Sequence, residues 1–66
     1  MRKGDLICVV ATVDEDDTFL GYNGVITKAY DDGAEVTLFP DDDTPEEILD
    51  HLEGLFFEYV ELRPAN

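Results

Sequence analysis

Apolar positions along the chain fall into short runs, separated by acidic or glycine-bearing segments. Residues 5–13 carry Leu6, Ile7, Cys8, Val9, Val10, Ala11 and Val13, and this β-branched run predicts a first strand. Strict alternation is missing. Ile7, Val9, Ala11 and Val13 share one face, while Leu6, Cys8 and Val10 make the other face apolar too, so both need cover. Asn23-Gly24 predicts a tight turn with positive φ. Residues 25–30 and 34–39 predict two further strands, joined antiparallel through Asp31-Asp32-Gly33 as a hairpin of the Asp-Gly kind. Pro40 has no N–H for a ladder and ends the third strand.

Thr44-Pro45-Glu46-Glu47 predicts a helix start, with Thr44 as cap, Pro45 at the first helical position and Glu47 closing a capping box. The acids there also suit the positive end of the helix dipole. Ile48, Leu49, Leu52 and Leu55 recur at helical spacing and Gly54 suits the C-terminal cap, which predicts about three turns over residues 44–54. Residues 56–62 return to strand, with Phe56, Phe57, Tyr59, Val60 and Leu62 apolar. No repeat or linker interrupts the chain, and one small domain over residues 1–66 is expected.

Charge changes this picture most. Seventeen Asp and Glu stand against four Lys and Arg, a formal charge of −13 over 66 residues. Such a surface repels nucleic-acid phosphates and anionic membranes. The four cations, Arg2, Lys3, Lys28 and Arg63, cannot offset it. Three uses of the acid stay open: solubility, adaptation to a high-salt cytoplasm, and steering toward a basic partner. Ten Asp against seven Glu, with a single Lys past residue 3, fits the second. The hydrophobic fraction of 44% is too high for simple disorder. One cysteine excludes an intramolecular disulfide framework. No apolar stretch reaches the roughly 18 residues of a membrane span, and the run after Met1-Arg2-Lys3 lacks the length and cleavage site of a signal peptide. A soluble protein of a reducing, cytoplasmic compartment is the expectation.

Four segments carry a resemblance: Lys3-Gly4-Asp5-Leu6-Ile7, Gly21-Tyr22-Asn23-Gly24-Val25-Ile26, Asp32-Gly33-Ala34-Glu35-Val36-Thr37-Leu38 and Val60-Glu61-Leu62-Arg63-Pro64. Together they resemble the small SH3-like barrels, in particular the KOW-like type and accessory subunits such as the ferredoxin–thioredoxin reductase variable chain. The resemblance implies a mainly β fold, a five-stranded SH3-like barrel, with one short α-helix at about 44–54 before the last strand. That helix departs from the family, where a one-turn 3₁₀ segment usually stands between the last strands. Relatives of this fold bind proline-rich peptides, bind nucleic acids or dock on larger enzymes. The lack of Trp departs from the first use and the charge from the second, which leaves an adaptor.

Candidate chemistry is sparse. The loop of Asp14, Glu15, Asp16 and Asp17 and the loop of Asp41, Asp42 and Asp43 lack the spacing of an EF-hand, so no metal is expected. They read as solvated loops that meet a basic partner. No catalytic motif is present, so neither an enzyme nor a cofactor is expected. Cys8 reads as a small strand residue and His51 as an exposed helix residue. Tyr22 and Tyr30, near acids, offer a cage for cations such as methylated Lys or Arg. The leading expectation is a non-catalytic, acidic interaction module or accessory subunit, monomeric or weakly dimeric. Its partner surface comprises both acidic loops with Phe19, Tyr22 and Phe39. A nucleic-acid-mimicking inhibitor of the phage type and a tudor-like reader of methylated side chains are the alternatives. For Leu6, Cys8 and Val10, cover by the 44–54 helix is the simpler expectation and cover by a partner the other.

Overall fold

The β-branched run after Asp5 folds as strand β1 (Leu6–Val9) in a computed structural model that describes residues 1–11 and 18–65. Strands β2 (Asn23–Ala29), β3 (Gly33–Leu38), β4 (Leu55–Glu58) and β5 (Leu62–Pro64) complete a single antiparallel sheet in the order β4-β3-β2-β1-β5. The protein is therefore mainly β. β1 lies between β2 and β5: Ile7 faces Gly24 on one side and Pro64 on the other.

Alternation places the core on one face of the sheet. Ile7 and Val9 of β1, Ile26 of β2, and Ala34, Val36 and Leu38 of β3 are buried there with Leu52, Phe57 and Leu62. Phe19, Tyr22, Leu55 and Tyr59 pack against this cluster from its margins. The inward placement of Ile7 and Val9 matches the sequence pattern. The strand stops at Val9, however, and Ala11 is exposed instead of inward, while Val13 lies outside the described residues. The register is pinned by hydrogen bonds on both flanks: the Val9 N–H donates to Tyr22 O at 2.9 Å and the Val10 N–H to Glu61 O at 2.9 Å.

The β2–β3 hairpin forms as expected, but its turn chemistry differs. Tyr30 N–H donates to Gly33 O, leaving Asp31-Asp32 as the two-residue loop. Neither aspartate has positive φ, and neither does Gly33, so this is not the primed turn that Asp-Gly predicts. Gly33 is required for space: a Cβ there would collide with Phe57 O and the Phe56 ring of β4. Asn23-Gly24 is likewise not a turn. It opens β2, and the positive φ is taken by Gly21 at +89°. Gly24 sits between Ile7 and Leu38 in adjacent strands, where a Cβ would meet Thr37 O at 2.5 Å and Leu38 Cδ2 at 2.9 Å.

The 44–54 helix is corrected to a single turn, Glu46–Leu49. Three local facts account for this. Thr44 is spent on its own loop, accepting from Asp41 N–H at 2.8 Å and donating to Asp41 Oδ1 at 3.0 Å. The cap position therefore falls to Pro45, which has no capping side-chain bond. Further along, the Leu52 carbonyl accepts from Leu38 N–H at 2.8 Å while its side chain enters the core. The sheet thus claims the backbone before a second turn can form. Asp50 and Glu53, at what would be the negative end of the dipole, add no incentive to continue.

Residues 56–62 are also not one strand. β4 ends at Glu58, a 3₁₀ turn occupies Tyr59–Glu61, and β5 begins at Leu62. A reciprocal capping box forms this break, with the Glu58 N–H donating to Glu61 Oε1 at 2.8 Å. That contact explains the buried carboxylate of Glu61.

The close approach at Gly24 is testable. Gly24→Ala should cost about 1–3 kcal/mol through overpacking between β1 and β3. Thermal unfolding should register a drop of several degrees, and an unchanged Tm would contradict the register given for β1–β2–β3.

Candidate docking surface

The face of the sheet opposite the core carries an aromatic and charged cluster built by register. Glu35 of β3 stands opposite Phe56 of β4 on one side and Lys28 of β2 on the other. Lys28 reaches that row through a bulge. Ile26 pairs with Val36 and Lys28 with Glu35, so Thr27 is the extra residue, and its hydroxyl donates to Glu35 O at 3.2 Å. Without the bulge, Thr27 would stand opposite Glu35.

Tyr30, at the end of β2, joins this row. Its ring lies 6.1 Å from that of Phe56 at an interplanar angle of 55°. Its hydroxyl donates to Glu35 Oε1 at 3.0 Å, and Lys28 Nζ lies 5.5 Å from its ring centroid. From the 3₁₀ turn, the Tyr59 hydroxyl donates to the Tyr30 carbonyl oxygen and ties the hairpin end to the chain beyond β4. Tyr30 and Phe56 nevertheless remain 39% and 49% exposed. Asp31 and Asp32 in the turn and Glu58 opposite Gly33 are exposed carboxylates on the same end of the sheet.

The residues singled out by sequence are spread more widely. Asp14, Glu15, Asp16 and Asp17 lie outside the described residues. Phe19 is half-buried, edge-on to both Tyr22 and Phe57 at 6.3 Å, so it packs inward. Tyr22 is half-buried against the same core. Phe39 is exposed just past β3, with its N–H donating to Asn23 O. Asp42 and Asp43 are exposed, whereas the Asp41 carboxylate is occupied by Asp43 N–H and the Thr44 hydroxyl. Tyr22 and Tyr30 do not form one cage: they flank the two ends of β2, eight residues apart, roughly 25 Å along a strand. The partner of Tyr30 is Phe56. The helical turn buries none of its residues, so it does not cover β1; Leu6 and Val10 stay exposed and Cys8 is half-buried.

Beside Leu6, a shallow cleft of about 200 Å³ is lined by Met1, Asp5, Leu6, Ile7 and Pro64. Among the described residues, no group of three His, Cys, Asp or Glu side chains is placed to hold a metal ion. Nor is any helix among them long and apolar enough to cross a membrane. No protein-family model, curated protein or solved structure matches this chain.

The division between the two sheet faces predicts opposite behaviour for adjacent phenylalanines. Phe57→Ala removes a core ring and should cost about 3–5 kcal/mol. Phe56→Ala, on the solvent side, should cost under about 1 kcal/mol. Urea unfolding of both variants checks this, and equal losses would contradict the assignment of faces.

Proposed function

We propose that this chain is a non-catalytic, acidic protein-interaction module or small accessory subunit of the cytoplasm that docks on a basic protein surface. One observation carries the reading. Aromatic side chains, Phe39, Tyr30 and Phe56, stay exposed on a chain whose carboxylates outnumber its cations 17 to 4. Exposed rings give a partner apolar area to bury and so supply affinity, while the carboxylates raise the rate of encounter. In this reading Asp42 and Asp43, with the 14–17 segment, steer the approach and Phe39 anchors it. Phe19 and Tyr22 contribute through the packing that supports the surface.

We read the fold as an SH3-like barrel. Two features support this: the 3₁₀ turn Tyr59–Glu61 between the last two strands, where such barrels usually carry one, and the return of β5 to pair with β1.

Partner capture from the source cell extract, followed by binding kinetics on the captured protein, tests the function. Raising salt from about 0.05 to 0.5 M should slow association by roughly tenfold or more and leave dissociation nearly unchanged. Phe39→Ala should speed dissociation. Steep loss of affinity with salt, together with elution by DNA or RNA, would assign the chain to the nucleic-acid-mimicking inhibitors instead. Absence of specific capture at any salt would reduce the acidity to solubility or salt adaptation.

A further inference from the structure

We propose that the Tyr30–Phe56 pair is a seat for an arginine side chain of the basic partner, and that Lys28 occupies this seat in the free protein. The inference rests on the docking reading above and names the group that this part of the surface recognises. A cation already lies against the ring: Lys28 Nζ is 5.5 Å from the Tyr30 centroid, within the roughly 6 Å range of a cation–π contact. The Glu35 carboxylate accepts a hydrogen bond from the Tyr30 hydroxyl at 3.0 Å, which makes the ring a better partner for positive charge. The second ring, Phe56, is tilted by 55°, so the two form an open corner instead of a flat stack.

The seat is held in place before any partner arrives. The Tyr59 hydroxyl fixes the Tyr30 backbone, and the bulge at Thr27 fixes the row that holds Lys28, Glu35 and Phe56. Little ordering is therefore left for the binding step. Lys28 itself is exposed on a flexible stem and is readily displaced. Arginine is the better occupant because its guanidinium is planar, less strongly hydrated than an ammonium, and stacks on aromatic faces. Asp31, Asp32 and Glu58 at the same end of the sheet complement its charge and that of its basic neighbours.

The experiment titrates the full chain with a short arginine-containing peptide, its lysine counterpart and its neutral citrulline counterpart at low salt, following Tyr30 and Phe56 ring resonances by NMR. The arginine peptide should shift both rings and bind more tightly than the lysine peptide, and the citrulline peptide should leave them unmoved. Lys28→Gln should tighten arginine-peptide binding by about threefold, and Tyr30→Leu should weaken it by about fivefold. Lys3→Gln makes the same change in charge away from the seat and should have little effect. A second variant, Phe56→Leu, guards against a folding defect in Tyr30→Leu and should also weaken binding. If the peptide binds but the three seat variants, Lys28→Gln, Tyr30→Leu and Phe56→Leu, match the parent within about twofold, the seat is wrong while the docking reading stands. If no basic peptide binds the parent or Lys28→Gln even at low salt, the docking reading fails with it.

Discussion

Strand β1 is bonded on both edges, and the rest of the architecture depends on that. Its odd-numbered residues turn their backbone toward β2, as in the Val9 N–H to Tyr22 O bond. Its even-numbered neighbours turn toward the 3₁₀ turn and β5, as in Val10 N–H to Glu61 O and Ala65 N–H to Leu6 O. Segments more than fifty residues apart in sequence are thereby joined. A chain this short has little apolar surface to bury and a single cysteine, so a four-residue strand satisfied on both sides contributes disproportionately to cohesion. The side chains reinforce the bonds: Ile7 and Val9 are fully buried and belong to the same core cluster as Ile26, Val36, Leu38, Phe57 and Leu62.

A second consequence is the one-sided core. With apolar side chains gathered on one face, the charges are left to the other face and to the loops. Glu61 is the one charged residue buried among the described residues, and it is bonded to the Glu58 N–H. A strongly acidic chain can hold its core because nearly every carboxylate among the described residues points outward, where water screens their mutual repulsion. The same arrangement leaves Tyr30 and Phe56 partly exposed, next to carboxylates.

Much of the sheet was legible in the chain. The β-branched runs mark β1, β2 and β3, and Asp31-Asp32-Gly33 marks the hairpin between them. Errors arose where tertiary contacts override local preference. Thr44-Pro45-Glu46-Glu47 has the composition of a helix start, yet Leu52 is drawn into the sheet and leaves one turn. The run from Phe56 to Leu62 has uniform strand composition, and only the Glu58–Glu61 contact reveals that it bends. Gly24 and Gly33 suggested turns because glycine permits positive φ; both serve instead as points of close strand contact. The aromatic cluster was half visible. Tyr30 stood out beside its acids, but Phe56 and Lys28 join it only through the β3–β4 register and a bulge, neither of which leaves a short-range signal.

Because β1 is the strand on which both halves of the sheet converge, native-state amide hydrogen exchange at Val9 and Val10 tests the account most directly. Val9 reports the bond to the β2 side and Val10 the bond to the β5 side. Both amides should exchange only through global unfolding, with the same free energy as the slowest amides of β3. Exchange at Val10 much faster than at Val9 would contradict the account, because it would mean that β5 opens separately from the rest of the sheet.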